Sequence, residues 1–133
     1  MPSKKPIYKK PYESVDRVDD SVWFSNDTPI MESDFTFVFN DRYPCVPGHK
    51  LFIPKENNGH FLGRSYGLAY DYGNEQIKNG EIDGFNVGMN IGVAAGQTIM
   101  WPHIHFIPRH HKDSKTIGGI RHAHPDGDHK KYY

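Results

Sequence analysis

The longest strand-like run in the chain, residues 98–107, most strongly limits the fold that this sequence can adopt. Alternate residues of a strand lie on one face of a sheet, so Trp101, His103 and His105 are predicted to share a face. Pro102 has no N–H for a ladder hydrogen bond, so it is expected at an edge, at a bulge or with its nitrogen turned away from a partner. The run therefore predicts a sheet strand that carries two neighbouring histidines.

Three further segments have the alternation and the bulky side chains that are typical of strands. They are residues 35–39, residues 50–53, which Pro54 ends, and residues 85–90. The turn residues between the first two segments predict that they are strands joined by a loop.

Residues 61–77 are predicted to form a helix, because apolar residues recur there at the spacing of one helical face. The residues of that face are Leu62, Tyr66, Ala69, Tyr70, Gly73 and Ile77. One helix among several strands predicts an α+β fold, in which the helix covers an antiparallel sheet.

Length and composition exclude several classes of protein. A chain of 133 residues is long enough for one compact domain. Its 16 Lys and Arg residues balance 16 Asp and Glu residues, so a nucleic-acid partner is not expected. The apolar runs are too short for a membrane span. A single cysteine, Cys45, allows no intramolecular disulfide and no multi-thiolate zinc site, which favours a reducing, cytoplasmic location.

The two ends of the chain differ in composition from its centre. Residues 1–20 are predicted to be a flexible basic leader, because no apolar core follows its lysines to make a secretory signal. Residues 21–121 are predicted to form the folded domain, and residues 122–133 a polar tail. Histidines in such a tail are usually solvated rather than metal-bound.

The pair His103 and His105 is the densest candidate for chemistry. A neutral imidazole with one nitrogen tied to an acceptor presents the other as a nucleophile or a metal ligand. Attack on phosphorus would give a phosphoramidate-type intermediate, and backbone N–H groups after Gly96, with Gln97 and Thr98, could hold the phosphoryl oxygens. Two other interpretations stay open: histidines on the polar face of a half-buried strand, and a metal site, for which no acidic ligand follows the pair.

Several short motifs stand in an order that matches one known superfamily. They are Phe39-Asn40-Asp41, Pro47-Gly48-His49, residues 84–92, Gly96-Gln97-Thr98 and residues 103–109. Together they resemble the histidine triad (HIT) superfamily, in which three alternating histidines follow a Gly-Gln-Ser/Thr turn. Residues 118–121 are similar to the tail of its bacterial diadenosine-tetraphosphate-hydrolase-like branch. The resemblance covers residues 22–121 and implies a HIT-like antiparallel sheet of about five strands with a covering helix.

The resemblance also assigns roles to individual residues. By position, His103 matches the nucleophile that takes the nucleotidyl group. The other residues that it implicates are Gln97, Thr98, His105 and Asn90 at the phosphates, Asp41 at the ribose, Phe39 at the base, and His49 and Trp101 in support. No metal or other cofactor is expected, because an imidazole supplies the nucleophile.

Two departures from the family pattern bear on these roles. Trp101 replaces the first histidine of the triad, although it keeps the backbone carbonyl that orients the nucleophile in the family. Residues 22–25, Val-Trp-Phe-Ser, stand where many relatives carry a Cys-x-x-Cys zinc half-site, so a structural zinc is not expected.

The resemblance implies a nucleotide hydrolase or nucleotidyl transferase that acts at the α-phosphate through a nucleotidyl-histidine. Dinucleoside polyphosphates or nucleoside phosphoramidates are the expected substrates, and a homodimer formed by joined sheets is the expected assembly. One alternative is a non-catalytic nucleotide-binding relative, in which Trp101 has replaced a required histidine. A second alternative is a histidine-rich, metal-binding β protein.

Overall fold

The computed structural model describes residues 13–113 and 119–127, and it shows two α-helices and a five-stranded antiparallel sheet. The helices are α1 (Val22–Asn26) and α2 (Gly59–Lys78). The strands are β1 (Met31–Glu32), β2 (Thr36–Asn40), β3 (Lys50–Pro54), β4 (Gly84–Gly88) and β5 (Ile104–Arg109), in the spatial order β1-β2-β3-β5-β4. The predicted α+β class and the sheet with a covering helix are confirmed.

The predictions for β2, β3 and β4 agree with the structure to within two residues, whereas β5 begins later than predicted. Residues 98–103 are not in a strand; the prediction was wrong there. β3 and β5 pair as Phe52 with Ile104, so continued pairing would set Pro54 opposite Pro102. Neither proline nitrogen carries a hydrogen, so the ladder ends and the residues before Ile104 are free to turn.

Helix α2 covers one face of the sheet and encloses one of two apolar cores. Asn58 caps the helix by accepting the Phe61 N–H at 2.9 Å. The buried core residues on this side are Val38, Phe52, Ala69, Ile82, Ile104 and Phe106. Leu62 and Tyr66 of the predicted helical face pack against them.

The predicted helical face is rotated relative to the observed one. Tyr70 and Ile77 are exposed, and the buried positions on the helix are Ser65, Ala69 and Gly73. These small residues recur every fourth position, so they allow the helix axis to lie close to the sheet. The sequence prediction placed large apolar residues on the buried face of the helix, whereas close packing against the sheet needs small residues there.

A second apolar cluster lies on the opposite face of the sheet. It consists of Val18, Trp23, Phe39, Leu51, Ile53 and Trp101. Val18 is 7% exposed, so the packed part of the molecule includes residues before position 21. Residues 1–12 of the predicted leader and residues 128–133 of the predicted tail lie outside the described residues. The division at 21 and 121 stays a prediction.

Among residues 13–113 and 119–127, no helix is both long enough and apolar enough to cross a membrane.

Replacing Gly73 with alanine should destabilise the protein, because a Cβ there would overlap the ring of Phe85. We expect the free energy of unfolding to fall by about 1–3 kcal/mol. The matched change Gly67→Ala, in the same helix with open space around it, should raise stability by up to about 1 kcal/mol. Urea denaturation of both variants measures the difference, and equal effects would contradict the proposed close approach of helix and sheet.

Candidate functional site

His103 lies one residue before β5, and a main-chain hydrogen bond fixes its ring. Its Nδ1 is 2.8 Å from the carbonyl oxygen of Trp101. A carbonyl oxygen can only accept, so Nδ1 carries the proton and Nε2 keeps a lone pair. The ring of Trp23 meets the imidazole edge-on, with centroids 4.9 Å apart. Burial lowers the pKa of His103, against the opposing effects of this hydrogen bond and of Asp41, so the lone pair is available at neutral pH.

Trp101 itself is a packing residue rather than a ligand-facing one. Its side chain is 4% exposed, and its indole Nε1–H donates to the carbonyl oxygen of Pro54 at 2.9 Å. Trp101 and Trp23 belong to the same buried cluster. The residues at the two departures from the family pattern, Trp23 and Trp101, therefore pack in one apolar cluster, and Trp23 of that cluster contacts the His103 ring.

His49, His105 and Asp41 form a tight polar group beside His103. His49 Nε2 is 2.9 Å from His105 Nδ1 and 3.2 Å from Asp41 Oδ2. The N–H of Cys45 donates to His49 Nδ1 at 3.2 Å, so the proton of a neutral His49 lies on Nε2. His105 Nδ1 then accepts a hydrogen bond from the His49 Nε2–H, and the proton of the neutral His105 lies on its own Nε2. His105 is thereby set up as a hydrogen-bond donor.

Both histidines of this group have lowered pKa values. Burial, with the nearby His103 and His49 in support and Asp41 in opposition, lowers the pKa of His105 to about 4. Burial also lowers the pKa of His49, again against Asp41. Both imidazoles are neutral at neutral pH, next to one carboxylate.

Asp41 is held at the end of β2 by its own turn. One carboxylate oxygen accepts the N–H of Tyr43 at 2.8 Å, and the other faces His49 and His105. The side chain is 14% exposed. The structure thus brings Asp41 to the histidines, and its predicted contact with a ribose stays a prediction.

Gln97 holds the loop before His103 through its side-chain amide, and its predicted phosphate contact stays a prediction. Its Oε1 accepts the N–H of Gly92 at 2.8 Å, and its Nε2 donates to the carbonyl of Ile99 at 2.9 Å. Its own N–H donates to the carbonyl of Gly92, which has a φ of 87°. In this structure the side chain therefore shapes the loop, and one of the two N–H groups on Nε2 is used for this.

The other predicted contact residues are placed differently from one another. Thr98 and Asn90 are exposed near the same loop, and the amide carbon of Asn90 lies 4.0 Å from the position of a Cβ on Gly96. Phe39 is 0% exposed and packs edge-on against Phe24 with centroids 5.2 Å apart. Phe39 therefore belongs to the core and has no free surface for a base in this structure.

An open cavity of about 700 Å³ lies on the sheet face opposite α2, and sequence reasoning missed it. His49, His105 and Asn90 contribute to its wall. The apolar part of the wall comes from Val46, Val87, Met89, Ile107, Ile120 and Ala123, and Arg109 and Asp113 lie at its side. The alternation of His105, Ile107 and Arg109 along β5 was the one sequence signal for this surface.

The model of the HIT domain matches residues 25–112, which is more than half of the chain. The chain belongs to the HIT family. The matched region contains β1 to β5 and the histidine group, so the family assignment covers the site as well as the sheet.

Individual HIT proteins resemble this one at modest identity. Adenylylsulfatase HINT3 of Arabidopsis thaliana is 33% identical over 91 residues, which cover 63% of this chain and 46% of the relative. Adenosine 5'-monophosphoramidase HNT1 of Saccharomyces cerevisiae is 29% identical over 97 residues, 68% of this chain and 59% of the relative. The chain thus spans only about half the length of these two relatives.

A solved structure shares the fold of this HIT protein. The zinc-bound histidine triad family protein from Mycobacterium smegmatis superposes with a TM-score of 0.60 at 26% identity, over 70% of this chain and 75% of the other. Membership of the bacterial diadenosine-tetraphosphate-hydrolase-like branch stays a prediction.

The stability of the protein should fall as the pH is lowered from about 6.5 to about 4. In this range unfolded chains protonate His105, whose ordinary pKa is 6.5, whereas the folded protein keeps it neutral until about 4. Urea unfolding at a series of pH values measures the slope, and His105→Gln should flatten it. An NMR titration in which His105 protonates near pH 6.5 would contradict the assignment.

Proposed function

We propose that this HIT protein is a nucleotide hydrolase or nucleotidyl transferase that acts at an α-phosphate through His103. The observation that carries the proposal is the 2.8 Å hydrogen bond from His103 Nδ1 to the Trp101 carbonyl. It leaves Nε2 as the nucleophilic atom without help from a side chain at position 101.

The reaction takes two steps. The lone pair on His103 Nε2 attacks phosphorus, and the bond from phosphorus to the leaving group breaks as the leaving group departs with its electron pair. Water or another acceptor then attacks the nucleotidyl-imidazole and releases His103. The Nε2–H of His105, whose ring centroid is 5.3 Å from that of His103, is the donor that stabilises the phosphoryl oxygens or the departing group.

The cavity favours one of the two expected substrate classes. Of the described residues in its wall, Arg109 is the one Lys or Arg, and it already contacts Asn86 at 2.8 Å and Asp113 at 3.3 Å. A polyphosphate leaving group would bring several negative charges to this apolar surface and to Asp113. A phosphoramidate instead releases an amine, which brings no such negative charge to this surface. The phosphoramidase activity named for the yeast relative agrees with this choice.

The buried indole of Trp101 favours a rival: a protein that binds nucleotides without turning them over. Trp101 is 4% exposed and offers no titratable group to a substrate. If catalysis requires a protonatable side chain at that position, only binding remains. The homodimer, the cytoplasmic location and the nucleotide contacts of Thr98, Asn90 and Asp41 stay predictions under either function.

The variant His103→Ala should lose turnover by more than about a thousandfold, because the attacking atom is removed. Release of amine from an adenosine phosphoramidate with an aromatic amine, followed by chromatography, measures the rate. His60→Gln, an exposed histidine at the start of α2, is the matched control and should retain the activity.

Three outcomes of this assay have different meanings. Faster turnover of the phosphoramidate than of diadenosine tetraphosphate supports both the reaction and the substrate class. Turnover that survives in His103→Ala contradicts the assigned nucleophile. Nucleotide binding in the wild type without any turnover favours the non-catalytic rival.

A further inference from the structure

The group formed by Asp41, His49 and His105 has the shape of a metal site. The three facing atoms are Asp41 Oδ2, His49 Nε2 and His105 Nδ1, and their separations are 2.9, 3.2 and 3.8 Å. A single point lies about 2 Å from all three atoms, which is the length of zinc–nitrogen and zinc–oxygen bonds in proteins. A metal slightly above that point would see the three ligands as one face of a tetrahedron.

We propose that Asp41, His49 and His105 form a binding site for a divalent transition-metal cation, Zn²⁺ foremost. Two imidazoles and one carboxylate are ligands that suit Zn²⁺. The carboxylate of Asp41 gives the site one negative charge, which partly compensates the cation. The ligands do not include residues 22–25, so the site is different from the Cys-x-x-Cys half-site that the resemblance describes.

The surroundings of the three residues are compatible with such a site. The backbone holds each ligand. β2 ends just before Asp41, whose N–H donates to the carbonyl oxygen of His49 at 3.0 Å, and His105 pairs with Leu51 of β3 in the ladder. His49 and His105 line the cavity, so a fourth coordination position can open towards it for water or a ligand oxygen.

Metal binding changes one hydrogen bond of the group. The cation replaces the proton on His49 Nε2, which in the metal-free protein points towards His105 and Asp41. His49 then carries its proton on Nδ1, so the 3.2 Å hydrogen bond from the Cys45 N–H is lost. His105 keeps its proton on Nε2 in both states, because its Nδ1 faces the group in each.

Binding is tested by isothermal titration of the full chain with Zn²⁺ after removal of metals with a chelator. We expect one equivalent to bind, and Asp41→Asn and His49→Gln each to weaken it by more than about tenfold, since even the loss of an outer-sphere partner costs about 10–100-fold. Asp41→Asn keeps an acceptor for the Tyr43 N–H and so preserves the turn.

The control addresses the surface histidines that flank Asp83. His110 and His111 lie 3.9 and 3.8 Å from its carboxylate, and their double change to glutamine should leave the tight equivalent in place. As a second readout, Co²⁺ should give the absorption of a tetrahedral complex in the wild type and lose it in Asp41→Asn. Binding that survives Asp41→Asn and His49→Gln, or that disappears with His110 and His111, would overturn the site, as would no binding at millimolar Zn²⁺.

A functional consequence rests on the proposed function, while the binding itself does not. Zn²⁺ occupies the Asp41 carboxylate that the predicted ribose contact needs, while the His105 Nε2–H stays free, so Zn²⁺ should inhibit turnover by weakening nucleotide binding. His110→Gln/His111→Gln should remain equally sensitive. A protein that binds Zn²⁺ but never turns over nucleotide supports the site and contradicts only the enzyme. A protein with turnover but no bound Zn²⁺ contradicts only the site.

Discussion

The hydrogen bond between His103 Nδ1 and the Trp101 carbonyl is the interaction on which the rest of the account depends. It requires a carbonyl that is not used by a strand ladder. The ladder between β3 and β5 ends at Ile104, where continued pairing would set Pro102 against Pro54. The same Pro54 accepts the indole N–H of Trp101, so the residue that supplies the carbonyl is itself fixed in place.

The backbone carbonyl of Trp101 therefore still orients the His103 ring, while the Trp101 side chain packs in an apolar cluster. The indole packs with Trp23 in a cluster below His103, and the edge of Trp23 supports the imidazole ring. This packing also explains the low pKa of His103, because burial disfavours its charged form. A large apolar residue at position 101 is thus compatible with a nucleophilic His103, provided that its backbone stays in this conformation.

Much of the fold followed from the sequence, and the errors have physical reasons. Alternation located β2 and β3, because their side chains divide between two apolar clusters, and it located β4 because Phe85 and Val87 pack on one of them. The start of β5 depended on which residue lies opposite Pro102, and a single chain segment does not contain that information. The helix was predicted at the correct place in the chain, but its predicted buried face was rotated. The reason is that small residues such as Ser65 and Gly73 pack closest to the sheet.

For the site, the motifs named histidines that the structure brings to one place, but they did not give the orientation of the side chains. His103, His105 and His49 lie together as the resemblance implied. Gln97 and Phe39 took structural positions, since both sides of the Gln97 amide find backbone partners and the Phe39 ring is enclosed. The cavity is lined by residues of β4 and β5 together with Gly119, Ile120 and Ala123, which lie far from His49 in the sequence.

The protonation state of the His103 ring tests the central claim most directly. NMR of the protein labelled with ¹⁵N in its histidines distinguishes the two tautomers of a neutral imidazole. At neutral pH we predict a proton on Nδ1 and a bare Nε2 for His103. A proton on Nε2 would mean that the Trp101 carbonyl does not hold the ring, and it would leave His103 without a free lone pair for attack on phosphorus.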